Sequence, residues 1–225
     1  MNPRALIILS LLVGLHFGKG ATPVLSGEDV IAVHTGHISP GEATGNHHGW
    51  HWNRIGTWGE VGPVALKDSE NNATSVRWTT VKRFSFHFKS RLIDHCSEAE
   101  GGHVYPPIVL GRGYHLAPRE IIGNNGPFST AEVILDGTDP TKRYKLTFIA
   151  TGIDGFNSDL ALHIVANGKT SASDTLLVHA GENAPAEVTI PSTYPDDNGE
   201  ITLLFTVPSG YQRGTLNAII LSPSH

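Results

Sequence analysis

Between Ala131 and Leu221 the chain alternates apolar and polar residues in short runs: AEVILDG, YKLTFIATG, LALHIVANGK, DTLLVHAG, AEVTIPS, EITLLFTVPSG and GTLNAIIL. A period of two sends successive side chains to opposite faces of a sheet, so each run predicts a strand with one buried face. Gly, Asn, Asp, Pro or Ser closes each run, and no apolar stripe of helical period separates them. Strands at this spacing predict an all-β fold, an antiparallel β-sandwich of jelly-roll type. Its core is expected from the alternating Val, Ile, Leu and Phe positions. The connections are legible too. Thr138-Asp139-Pro140 joins two strands, with Asp capping the turn and Pro fixing φ. Asn167-Gly168 predicts a type I′ hairpin, which needs positive φ at both positions. Asp196-Asp197-Asn198-Gly199 predicts a second such turn.

The N-terminal half is less regular. DVIAVHT predicts an opening strand. Residues 36–62, rich in Gly, His and Trp, lack periodicity, and a long irregular segment in a compact domain is usually functional or disordered. Strands resume with VALKD and TSVRWTTV. KRFSFHFKS alternates, which predicts Phe84, Phe86 and Phe88 on one face and Ser85, His87 and Lys89 on the other. Three rings on one face are ordinary core, or else a stacking surface for sugars or bases. YPPIVLGRGYHLA carries prolines that forbid a central strand and allow an edge or a loop.

Composition narrows the function. Arg4, the apolar run Ala5–Leu15 and the small residues Gly18-Lys19-Gly20-Ala21 have the order of a secretory signal peptide. The reading is a signal over 1–21, a single sandwich domain over 22–225 and a secreted or periplasmic location. No other stretch is long and apolar enough to span a bilayer. Without Arg4 and Lys19, 14 of the 16 basic residues face 21 acidic ones, a formal charge of −7. That sign argues against nucleic acid and against an anionic membrane surface as partner. The one cysteine, Cys96, can make no internal disulfide, and beside His95 it reads as a chance thiol rather than a nucleophile.

Several stretches together carry a resemblance: Trp52-Asn53 after a Gly-rich loop, LKDSENNATSVRWTT, FSTAEVILDGTDPTKRYKLTFIATG, VANGK, DDNGEITLLFTV and TLNAIIL. They resemble exported bacterial β-sandwich domains of the galactose-binding-like, carbohydrate-binding-module type, over most of residues 28–222. The resemblance implies a galactose-binding-like sandwich from a polysaccharide-degrading setting. It brings no catalytic residue with it, because function resides in sites rather than folds.

The segment Asn46-His47-His48-Gly49-Trp50-His51-Trp52-Asn53, with Trp58, is the main candidate site. Trp50, Trp52 and Trp58 supply flat faces for the C–H side of a sugar ring. His48, His51, Asn53 and Arg54 supply hydroxyl partners, and Tyr114 and His115 assist. The competing reading is that Trp52 and Trp58 plug one end of the core. His47, His48 and His51, with His34 and His37, could hold a transition metal, though the spacing matches no closed zinc motif. Asp154, Asn157 and Asp159 place oxygens at intervals suited to structural calcium, as do Asp196, Asp197 and Asn198; backbone turns explain both loops equally. Asn72-Ala73-Thr74 is a formal glycosylation acceptor. No Gly-x-Ser-x-Gly or His-Glu-x-x-His motif occurs, while Arg112, Tyr114 and His115 keep open a lyase-like site without a compact motif. The expectation is a non-catalytic protein that binds a glycan or polysaccharide. The alternatives are a structural or adhesive module that binds a protein partner at the cell surface, and, third, a metal-dependent enzyme.

Overall fold

A computed structural model describes residues 30–36, 46–47, 50–56, 61–90, 105, 107–118, 128–182 and 184–224. The expected signal segment 1–21, Trp58, His37, His48, His95 and Cys96 lie outside the described residues. The strands are β1 (Ile31–Thr35), β2 (Asn46–His47), β3 (Trp50–Ile55), β4 (Val61–Lys67), β5 (Ala73–Lys82), β6 (Phe86–Lys89), β7 (Arg112–Leu116), β8 (Thr130–Asp136), β9 (Tyr144–Ala150), β10 (Leu160–Asn167), β11 (Ser171–Val178), β12 (Ala186–Thr193), β13 (Ile201–Thr206), β14 (Gly214–Leu216) and β15 (Ala218–Pro223). Among the described residues there is one short helix, α1, at Pro107–Gly111.

Two six-stranded sheets form the sandwich. The first has the order β12-β9-β15-β1-β3-β2, the second β11-β10-β13-β8-β5-β4; a three-stranded sheet, β14-β7-β6, adjoins them. The C-terminal strands fall where the alternation predicts them. Between the two large sheets lies one apolar core, to which Leu146, Phe148 and Ile219 contribute from the first sheet and Val133, Leu203 and Phe205 from the second. The Phe205 ring sits 5.3 Å from Phe84 and 6.2 Å from Phe148, the latter edge to face.

The outer face of the first sheet is covered as well. Val30, Ala32, Trp52, Ile149, Ala218 and Ile220 form a second apolar cluster with Val109 and Leu110 of α1. Burial on both faces explains why every residue of β1 is buried, a continuous run instead of an alternation. Asn217, itself fully buried, ties the cover down. Its Nδ2 donates to the carbonyls of Leu110 and Arg112 at 3.0 Å each and of Val109 at 3.3 Å, and its Oδ1 accepts from the Thr151 amide at 2.8 Å.

Five details depart from the sequence expectation. First, β1 and β3 pair in parallel, Ala32 opposite Trp52, within an otherwise antiparallel arrangement. The stretch from Gly36 to Gly49 is long enough to bring the chain back to the same end, as a parallel pair requires. Second, β6 begins only at Phe86, so the alternation breaks at Ser85. Phe84 and Phe88 enter the core, whereas Phe86 stacks on His87 at 4.2 Å. Ser85 is buried because its hydroxyl accepts the Ala117 amide at 2.8 Å. Third, β7 is the central strand of its sheet; Pro107 opens α1 upstream and leaves the β7 amides intact.

Fourth, Asn167-Gly168 is not a type I′ turn, since neither residue has positive φ. Asn167 pairs with Ser171 across a three-residue loop, and the glycine serves close approach instead: a Cβ there would lie 1.8 Å from the Tyr194 carbonyl oxygen. Fifth, 196–199 links β12 of one sheet to β13 of the other rather than closing a hairpin, and only Gly199 has positive φ. The Asp196 carboxylate accepts the Asn198 and Glu200 amides at 2.9 and 2.8 Å and shapes the turn. The Asp139 turn does form as expected, with Asp139 Oδ1 accepting the Thr141 amide at 2.9 Å.

Candidate functional site

Strand β3 carries most of the candidate residues, and its geometry divides them. Side chains alternate along a strand, so Trp50, Trp52 and Arg54 share one side and His51 and Asn53 the other. Trp52 is buried at 4% exposure in the outer cluster, against α1 and Ala32. Trp50 is half-buried and packs against that cluster at its rim; its ring lies 6.2 Å from Trp52 at 33°. Tyr105 meets Trp52 edge to face at 6.4 Å and donates its hydroxyl to Glu187 Oε2 of β12 at 2.6 Å. Burial raises the Tyr105 pKa, and the bond to Glu187 raises it further, so the phenol stays protonated. Trp52 Nε1 is buried and has no hydrogen-bond partner among the described residues.

The other side of β3 faces β4 and the turn after it. Asn53 is used by the backbone: Nδ2 donates to the Lys67 and Ala32 carbonyls at 2.6 and 3.1 Å, and Oδ1 accepts the Lys67 amide at 2.7 Å. The side chain thus stands in for a strand partner between the two sheets. His51 donates its backbone amide to the Ser69 carbonyl at 2.7 Å. Burial holds its imidazole pKa below the usual value, Lys67 lowers it further, and Asp68 opposes both. Burial pushes the Asp68 carboxyl up, but bonds from Asn72 and Glu70 and the nearby His51 outweigh it and hold the pKa below the usual range. That carboxylate accepts the Glu70 and Asn72 amides at 3.0 and 2.8 Å, which organises the β4–β5 turn.

Tyr114 and His115 belong to β7 and lie inside the protein, 1% and 6% exposed. The Tyr114 hydroxyl donates to the Ile55 carbonyl, and its ring packs 5.2 Å from Phe84. These two residues therefore present no surface alongside Trp50. Arg112 is half-buried; its carbonyl accepts His34 Nε2 at 3.2 Å as well as Asn217 Nδ2. Burial of His34 at 2% exposure is explained by that contact. The backbone of His47 pairs with Trp50. Among the described residues, no group of three or more His, Cys, Asp or Glu side chains is arranged to hold a metal ion.

In the loop expected to suit calcium, Asp154, Asn157 and Asp159 are all exposed. Asp159 Oδ1 accepts the Ala180 amide at 2.7 Å, and its other oxygen lies 3.7 Å from His179 Nδ1. Phe156 in the same loop lies under the Arg213 guanidinium at 4.6 Å. Asp197 pairs with Lys169 at 3.1 Å. Tyr105 and Glu187 were not found from the sequence. They lie far apart in the chain and meet only because the cover segment crosses the first sheet to β12.

No protein-family model matches the sequence, and no curated protein matches it either. Among solved structures, the ANX1 ectodomain from Arabidopsis thaliana is 12% identical with a TM-score of 0.46, over 87% of this chain and 41% of that one. A Bacteroides uniformis beta-glucuronidase is 14% identical with a TM-score of 0.43, over 87% of this chain and 18% of the other. TmCBM61, solved in complex with beta-1,4-galactotriose, is 10% identical with a TM-score of 0.34, over 66% of this chain and 88% of that one. The chain spans less than half the length of the first two proteins. These are likenesses of strand arrangement, and no residue or ligand is carried over from them.

Proposed function

We propose that this protein binds a glycan without turning it over, at the aromatic surface where Trp50 rests beside Trp52 and Tyr105. The half-buried Trp50 ring carries this reading. It reaches the surface, yet Trp52 and the outer cluster hold it on its inner side. A pre-set ring offers an apolar face for sugar C–H groups at little cost in side-chain entropy. Across the cover lie the Tyr105 hydroxyl and Glu187, groups able to meet sugar hydroxyls. His51 and Asn53 support the strand from behind and do not belong to the contact surface.

A glycan array with the mature protein tests this directly. Trp50→Ala is expected to weaken binding at least tenfold, about 1.4 kcal/mol, with the melting temperature nearly unchanged. No binding to any glycan, or unchanged binding by Trp50→Ala, removes the reading. The proposal includes export with cleavage after the apolar N-terminal run. N-terminal sequencing of protein purified from its source is expected to begin near Thr22, and an intact Met1 terminus contradicts it. The adhesive alternative calls for a continuous exposed apolar patch. The large apolar side chains exposed among the described residues, Val81, Leu177 and Tyr194, sit on β5, on β11 and in the connection after β12, which offers that alternative no single surface.

A further inference from the structure

Beside the covered cluster, the outer face of the first sheet carries a row of side chains that runs away from Trp50. Val30 stands just before β1. The registers that set Ala32 beside Trp52 and Ile31 beside Leu221 place it between Trp50 and Ser222. Ser222 in turn stands opposite Lys145 of β9. Val30, Ile220 and Ile149 all belong to the outer apolar cluster, so by alternation Ser222 and Lys145 point to that same face. The row Trp50–Val30–Ser222–Lys145 therefore crosses β3, β1, β15 and β9, about 14 Å over three strand spacings.

Two members of this row lack partners. Ser222 is 7% exposed, yet its hydroxyl has no hydrogen-bond partner among the described residues. Lys145 is half-buried, which lays its stem on the sheet, and its ammonium makes no ion pair among the described residues. Polar groups withdrawn from water cost free energy until something satisfies them. Arg143, two residues before Lys145, is exposed. Its guanidinium lies 5.9 Å over the Tyr194 ring and pairs with no carboxylate among the described residues. Glu187 stands opposite Ile149, four residues further along β9 and about 13 Å from Lys145. Its carboxylate already accepts the Tyr105 hydroxyl. One end of the row is thus aromatic and the other cationic, with a buried hydroxyl between them.

Granted the glycan-binding reading of Trp50, we propose that the ligand is acidic: a uronic-acid oligosaccharide lying along this row, with its carboxylate on Lys145 and Arg143 and a sugar hydroxyl on Ser222. A carboxylate fits because it accepts a charge-assisted bond at each oxygen. The row is long enough for a short chain of sugars rather than a single one. The protein as a whole is acidic, with a formal charge of −5, so its overall field does not draw polyanions in. A preference for them has to arise at this end of the sheet.

A glycan array carrying each linkage as the uronate, its methyl ester and a sulfated neutral counterpart reads the preference. The uronate is expected to bind about tenfold or more tighter than its ester. Lys145→Gln should bring the uronate down to the level of its ester, and Trp50→Ala should weaken uronate binding as well. Lys82→Gln, which removes the same charge from β5 of the other sheet, should keep the preference. Circular dichroism confirms folding in each case. The acidic ligand is overturned if the ester binds as well as the uronate, if the sulfated forms bind best, if Lys145→Gln keeps the preference, or if uronate binding survives Trp50→Ala. Trp50-dependent binding of neutral glycans alone overturns the acidic ligand and leaves the broader reading in place, whereas binding of no glycan removes both.

Discussion

Asn217→Ala is expected to lower the free energy of unfolding by about 4 kcal/mol, through buried polar groups left without partners. Asn217 is fully buried between β14 and β15, with two amide hydrogens shared among the carbonyls of Val109, Leu110 and Arg112. Its oxygen accepts both the Thr151 amide and the Thr151 hydroxyl, at 2.8 and 3.1 Å. Truncation strands the Thr151 amide and the Val109 carbonyl, while the Arg112 carbonyl keeps His34 Nε2 and the Leu110 carbonyl keeps the Thr151 hydroxyl at 3.4 Å; buried groups left unpaired each cost about 1–3 kcal/mol. Leucine at the same position fills the volume but satisfies none of them, so Asn217→Leu should lose nearly as much. Aspartate keeps the acceptor, loses both donors and adds a buried charge, so it should not rescue either. Urea unfolding gives the size of the loss. Hydrogen exchange gives its place: the amides of 108–112 should lose protection first. A loss below about 1 kcal/mol would mean that water takes over these bonds and that the cover is not anchored here.

Phe205→Ala acts on the other core and is expected to cost about 3–5 kcal/mol. Phe205 is fully buried on β13 and touches rings from two directions, Phe148 of the opposite sheet and Phe84 ahead of β6. Few neighbours can close the hole, because the strands on both sides are fixed by their ladders. Phe205→Leu keeps most of the volume and should cost less than about 1.5 kcal/mol. Thermal and urea unfolding of the two variants check the contrast. Equal losses would show that ring geometry, rather than filled volume, sets stability at this position.

The two substitutions also separate what was legible from what was not. Phe205 lies in EITLLFTV, and period two already assigns it to a buried face. Nothing around Asn217 in LNAIIL marks it as the residue that pins a helix more than a hundred positions upstream. Its role comes from the meeting of β15, α1 and β7, which local pattern does not encode. The candidate site shows a third case. WHWNRI alternates, so the division of Trp50 and Trp52 from His51 and Asn53 is written in the sequence. The Gly- and His-rich residues around it hide the strand, and the segment reads as one loop with all its side chains available together. Tyr114 and His115 invited the same error: polar-capable side chains in a short run look exposed until the strand is found between β14 and β6.

Alternation and turn residues alone determined that this chain folds into stacked sheets, where most C-terminal strands lie and which of their side chains face inward. These are local properties, set by the two-residue repeat of the strand and by the φ preferences of Gly, Asn, Asp and Pro. Tertiary structure decided the rest: the parallel β1–β3 pair, and the second apolar layer that makes Trp52 a buried ring and Trp50 a surface one. Each of these depends on which distant strands become neighbours, and that choice rests on the summed burial and pairing of the whole chain.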